Sequence, residues 1–237
     1  MTLLTVCQNV AEEIGIDTPE SIIGNSDRTA KQLLRFANRA GKVLAKKHWT
    51  ILQKEYTFNT SNGIPSYSLP TDYEWILLDS AWDRDNYWKM RGGLDPREWQ
   101  IYKSGIIANQ ATRKRYRIKA DGNAKKFFID PTPSATEALV FEYCSNTWLT
   151  DTLGTTFKTA FTSDTDVSLI SEELLEMAVL WRFKNAKGLA YAEEYNECMK
   201  QTDIAFARDG GLKKISMSRP INVPPWRMNV PESGFGS

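Results

Sequence analysis

The chain has 237 residues, room for one large domain or a domain with an insertion, and its 41% hydrophobic fraction lies slightly below the globular average, so it should fold. Thirty basic against 29 acidic residues leave a net charge of +1, which excludes a global field drawing the protein to nucleic acid or membrane; a charge-driven partner must meet a local patch. Cys7, Cys144 and Cys198 are far apart and lack a CxxC or a histidine cluster, which argues against a disulfide framework and a zinc site and for a reducing compartment.

The first segment, MTLLTVCQNVAEEIG, has no basic run before its apolar residues, and no stretch of about eighteen apolar residues occurs anywhere. The expectation is a protein made in the cytoplasm, without a membrane span. Leu3, Cys7, Val10 and Ile14 recur at helical spacing, predicting a short helix that stops at Gly15. Asp27 is placed to cap a second helix with the stripe Ala30, Leu33, Leu34, Ala37, Ala40, Gly41, Leu44, Ala45, whose small residues favour close helix contact.

From about Thr50 to Thr150 the helical period gives way to short β-type runs: ILQKEYTF, YEWILLDSAW, NYWKM, RYRIKA, KKFFID and ALVFEYC. SNGIPS, DRDN, ADGN and DPTPSA supply turns. DPREWQIY reads as one short helix, with Asp95 as cap and Pro96 in its first position.

Helical periodicity returns at SEELLEMAVLWRFKNAKG. There Ser171 can cap, Glu172 and Glu173 favour the positive helix end, and Ile170 can staple against Leu175, with Leu174, Leu175, Ala178, Val179, Trp181 and Ala186 as the predicted face. A fourth helix follows, with the stripe Tyr191, Ala192, Tyr195, Cys198, Met199, Thr202, Ala205, and Gly210-Gly211 stops it. The predicted fold class is α+β: an antiparallel helical bundle of about four helices with a β-rich insertion and an extended C-terminal arm. The corresponding units are residues 1–49 with 168–211 for the bundle, 50–150 for the insertion, 151–167 for a linker loop, and 212–237 for the arm.

Catalytic chemistry finds no foothold. His48 is the single histidine and has no Ser or Cys motif near it, so a role at a helix end or interface is expected. DRDN resembles the opening of a calcium loop, but Trp88 stands where glycine is required and Leu94 where a bidentate glutamate is required, so a hairpin turn is expected. No phosphate loop, GxSxG, HExxH or dinucleotide fingerprint occurs. The expectation is a protein that is not an enzyme, with no cofactor and no metal; a metal-assisted hydrolase using scattered carboxylates is the weakest alternative.

Between Lys103 and Lys126 stand eight basic residues and one acid, a local balance of +7. Arg113, Arg115, Arg117 and Lys119 would share one strand face, with Tyr116 and Ile118 on the other. Three readings stay open: a solvated edge strand protected by charge, a nucleic-acid contact, or a ring interface. In the last, the row meets the acidic run Asp164, Asp166, Glu172, Glu173, Glu176 on a neighbouring copy.

The tail, KKISMSRPINVPPWRMNVPESGFGS, is apolar for a terminal segment. Ile215, Met217, Ile221 and Val223 alternate as in a strand, while Pro220, Pro224 and Pro225 exclude a central sheet position. Ordering it alone costs more backbone entropy than its apolar side chains return on burial. It either folds back over the β-insertion or orders on a partner. The predicted partner contacts are Ile215, Met217, Arg219, Ile221, Val223, Pro224, Pro225, Trp226, Arg227 and Met228, with Trp226 as anchor.

Three phrases in order, MTLLTVCQNVAEEIGIDTPESIIGN, TAKQLLRFANRAGKVLAKKHWTILQKEYTF and RYRIKADGNAKKFFIDPTPSATEALVFEYCSNTW, resemble the head-to-tail adaptor proteins of tailed bacteriophages, of the short-tailed type. The resemblance spans residues 1 to about 210 and rests on the order of helices and on aromatic and proline phrases. It implies a homo-oligomeric ring, typically dodecameric, beneath the portal protein, carrying the tail nozzle or next tail protein. DNA would pass through its lumen without sequence-specific binding. It also implies a place in the virion, with assembly in the host cytoplasm, and a C-terminal arm along the portal, which is carried over by position alone. The alternative is a nucleic-acid-binding module using the strand at 113–119.

Overall fold

The computed structural model describes residues 2–47, 49–104 and 113–210. The chain opens with helices α1 (Leu3–Ile14) and α2 (Arg28–Leu44), followed by a 3-10 turn at Thr50–Leu52. Five strands come next: β1 (Gln53–Asn59), β2 (Ser66–Ser68), β3 (Tyr73–Ile76), β4 (Trp82–Asp83) and β5 (Trp88–Lys89). Helix α3 (Pro96–Ser104) precedes β6 (Arg115–Asp121), β7 (Ala124–Asp130), β8 (Ala138–Ser145), β9 (Leu149–Thr150), β10 (Phe157–Lys158) and β11 (Val167–Ser168). Helices α4 (Glu172–Lys187) and α5 (Ala192–Arg208) complete the described chain.

Local chemistry sets the helix ends. Thr2 accepts a hydrogen bond from the Thr5 amide, and Gly15 takes a left-handed φ of 74°. That conformation lets the Gly15 and Ile16 amides reach the Glu12 and Ala11 carbonyls at 3.1 and 3.0 Å. Asp27 caps α2 by accepting from the amides of Thr29 and Ala30 at 2.8 and 3.1 Å. Ser171 makes no side-chain cap bond, while Ile170 and Leu175, on either side of the start of α4, are both buried.

Three antiparallel sheets form: β1-β8-β4-β5 with β3 also on β8, β2-β7-β6, and β10-β9-β11. In the first, β1 and β8 pair through seven residues from Gln53↔Cys144 to Asn59↔Ala138. Its apolar face meets the β2-β7-β6 sheet through an aromatic stack. Tyr116 lies on Phe127 with centroids 4.8 Å apart, and Phe127 on Phe141 at 5.1 Å and nearly parallel.

The expected bundle of four helices is not what forms. The strands dominate the interior, and the core beneath α1, α2 and α4 is completed by Leu52 of the 3-10 turn, Cys144 near the end of β8, Leu149 of β9, and Trp148 and Phe161 from the segments flanking β9 and β10. The reason lies on α2. Its small residues do not simply admit another helix: Gly41 receives the indole of Trp148, which a Cβ on Gly41 would meet at 2.0 Å. Trp148 is fixed there by donating from Nε1 to the Thr159 carbonyl at 3.0 Å and by an edge-on Phe161.

Helix α5 departs from the bundle in a second way. It lies against α4 with only Cys198 and Thr202 buried, while Tyr191, Tyr195, Met199 and Phe206 are about two-fifths exposed. The predicted α4 face is likewise shifted: Leu180 and Phe183 are buried, whereas Ala186 is exposed and Trp181 lies half-buried beneath Tyr191 and Tyr195.

Candidate functional site

The basic row is divided by its surroundings. Tyr116 and Ile118 pack into the aromatic core, as alternation requires. On the other face Arg115 is nonetheless buried, because α3 covers it: its guanidinium lies 3.9 Å from the Tyr102 ring centre and 3.4 Å from the carboxylate of buried Asp130. Lys103 of α3 reaches the same carboxylate at 3.2 Å. Arg113 is exposed near the Trp88 ring, Arg117 is half-buried, and Lys119 is exposed over Phe128. Arg113 and Arg115 edge an open cleft of about 860 Å³ that also holds Lys89 and Arg91. The cleft's cations are partly answered, by Asp79 on Lys89 at 2.9 Å and by Glu98 near Arg91 at 3.8 Å.

Lys114, between two members of the row, points inward. It bridges Asp83 at 2.5 Å and Glu137, and all three side chains are largely buried. Burial alone pushes the Asp83 carboxyl up, but hydrogen bonds from Lys114 and Asn86 outweigh it and hold the group below its ordinary range. This is the DRDN segment, which turns the β4-β5 hairpin, and its Asp83 carboxylate is occupied by Lys114, the residue just before β6.

The acidic run is likewise partly used inside the molecule. Asp164 accepts from the amides of Ile22 and Ile23, at 2.8 Å for the shorter contact, and so ties the loop after α1 to residue 164. Asp166 is 1% exposed, pairs with Lys158 at 2.6 Å and accepts from the Thr162 and Ser163 amides. Burial raises its carboxyl, and these bonds lower it further than burial raises it. Glu173 is exposed at the start of α4, Glu172 is half-buried beside it, and Glu176 accepts from Asn9 of α1 at 2.7 Å. Burial first, and then the charges of Glu172, Glu13 and Glu173, push the Glu176 carboxyl up by more than the hydrogen bond from Asn9 lowers it.

The predicted tail contacts, Ile215 to Met228, and His48 lie outside the described residues. The cysteines are buried and free, and burial pushes the Cys7 thiol up to about 12. Among the described residues no group of three or more His, Cys, Asp or Glu side chains could hold a metal ion. No described helix is long and apolar enough to cross a membrane.

One surface escaped the sequence reading. Arg28, Lys31, Arg35, Arg39 and Lys42 are all exposed along α2, and none forms an ion pair among the described residues. The signal was present: residues 28–47 contain seven cations and no acid, whereas residues 1–27 contain five acids and no cation.

A comparison with protein-family models matches residues 1–220 to the family described as SU10 adaptor protein. No curated protein matches the chain.

Proposed function

The chain belongs to the SU10 adaptor protein family and is a structural adaptor of a phage; from that premise we propose that it is the head-to-tail adaptor, forming a ring beneath the portal protein. The ring joins the capsid to the tail nozzle or next tail protein and leaves a channel through which DNA passes without being read. Twelve copies is the number the family resemblance implies. The protein acts in the virion after assembly in the host cytoplasm.

The family match carries this reading, because it runs through the helices and sheets and on to Pro220 in the tail. Residues 212–237 serve as the docking arm: alternating apolar side chains and prolines suit an extended segment that gains backbone hydrogen bonds and pockets only from another protein. Ile215, Met217 and Arg219 fall within the matched span, and Ile221 to Met228 follow it, with Trp226 as anchor.

Co-sedimentation with purified portal rings tests the arm. The full chain binds, and a chain ending at Leu212 loses binding while keeping the same thermal midpoint. Equal binding by both chains would remove the arm from the portal contact.

A further inference from the structure

On α2, the exposed cations Arg28, Lys31, Arg35, Arg39 and Lys42 recur every three or four residues. At 3.6 residues per turn they fall within an arc of about 80° and span roughly 21 Å of helix. Like charges at such spacings repel one another, so the stripe is a cost to the isolated helix that a partner would relieve. No acid of the same chain pairs with them among the described residues.

The stripe is not purely ionic. Phe36, Val43 and Trp181 line a groove of about 230 Å³ between α2 and α4, flanked by Arg39 and Arg182. Val43 is 49% exposed. Arg182 is turned back onto the Trp181 ring and donates to the Ala178 carbonyl, which shapes the groove wall. An apolar groove bordered by cations suits a protein surface better than a phosphate backbone, which offers it nothing to bury.

The complementary surface lies on this same chain. Glu12 and Glu13 at the end of α1 and Glu173 on α4 are exposed. Glu13 lies one helical turn after Asn9 on α1, and Glu173 one turn before Glu176 on α4, so both flank the Asn9–Glu176 bond that ties the two helices together. Residues 1–27 add Asp17 and Glu20 without a single cation.

We propose that the α2 stripe docks on the acidic α1–α4 surface of a second copy, making a head-to-tail contact between neighbouring subunits. This rests on the ring reading given above and names its interface. Two different patches meeting in one contact repeat from copy to copy, and close into a ring when the rotation permits. The charges set register and partner choice, while the groove supplies apolar burial.

The test uses two charge-reversed full-length variants, each judged folded by its circular dichroism and thermal midpoint. One carries Arg35→Glu, Arg39→Glu and Lys42→Glu; the other carries Glu12→Lys, Glu13→Lys and Glu173→Lys. Sedimentation velocity is run on each alone and on their equimolar mixture, with and without portal rings. The native chain is expected to assemble, on its own or on portal rings, and to do so less well as salt rises. Each variant alone is expected to lose assembly at least tenfold, and the mixture to regain it, because reversed stripe then meets reversed acid surface.

Assembly of either variant at the native level, or failure of the mixture to recover, overturns the interface. So does a native chain that stays monomeric in both conditions. A stripe variant that assembles normally but loses binding to duplex DNA would assign α2 to nucleic acid instead. Portal binding by monomers is scored separately, so the adaptor role and this interface fail independently.

Discussion

The indole of Trp148 occupies the space in which a side chain on Gly41 would lie, 2.0 Å from the position of a Cβ. This contact joins the second helix to the strand region and explains why the helices do not close on one another alone. Gly41→Ala should improve helix propensity by about 1 kcal/mol, yet it forces a ring held by Thr159 and Phe161 to move. A net loss of about 2 kcal/mol is expected, as for other overpacked cores. Urea unfolding of the two chains at the same pH measures it; an equally stable variant would mean that Trp148 has room to shift.

Lys114 holds Asp83 and Glu137 together in a largely buried site. Lys114→Met leaves two neighbouring carboxylates with no cation between them and should cost about 3 kcal/mol at neutral pH. The pH dependence follows from the signs. Asp83 titrates below its ordinary range when folded, so its contribution is present above that range and is lost as pH falls through the folded value. Burial lowers Lys114 and its two carboxylate partners raise it by more, so its contribution is present below the ordinary lysine value and is lost as pH rises through the folded one. Thermal melts across pH should show both limbs in the native chain and flatter limbs in the variant.

Glu176 carries the opposite sign from Asp83. Its folded carboxyl is raised by burial and then by neighbouring glutamates, so the native state binds its proton more tightly than the unfolded chain does. Stability from this group is greatest below the ordinary glutamate value and falls as pH rises through the folded one. Glu176→Gln keeps an acceptor for Asn9 and removes the charge. Melts of this variant should show a small gain at neutral pH that vanishes in acid; a loss at neutral pH would mean that the carboxylate is needed as a charge.

Within the basic row, cost should follow burial. Arg115→Ala strips Asp130 of one of its two cations beneath Tyr102 and should destabilise by about 2–3 kcal/mol. Lys119→Ala, exposed on the same strand, should change stability by no more than about 0.5 kcal/mol. Chemical denaturation of both variants checks the contrast, and equal effects would contradict the covering role of α3.

What was legible in the sequence was local. Thr2, Gly15 and Asp27 act within a few residues of themselves, so α1 and the start of α2 follow directly from residue type. Strand alternation likewise puts Tyr116 and Ile118 on the core side. Periodicity does not say what covers a face. Arg115 lies where alternation puts it, but a helix before it in sequence closes over it. The stripe on α5 has helical spacing and is still mostly exposed: only Cys198 and Thr202 are buried, and Tyr195 stays two-fifths exposed although its ring meets Trp181 of α4. Gly41 reads as a helix contact until Trp148, 107 positions away, is placed upon it. The α2 cations were visible as a charge block, and only the exposed helix turns that block into a stripe.

The adaptor role is tested most directly in particles. Assembly carried out without this chain, and with every other virion component present, should accumulate DNA-containing heads that carry portals but no tails, and adding the purified full-length chain should restore tail joining. Tailed, infectious particles formed in its absence would contradict the role.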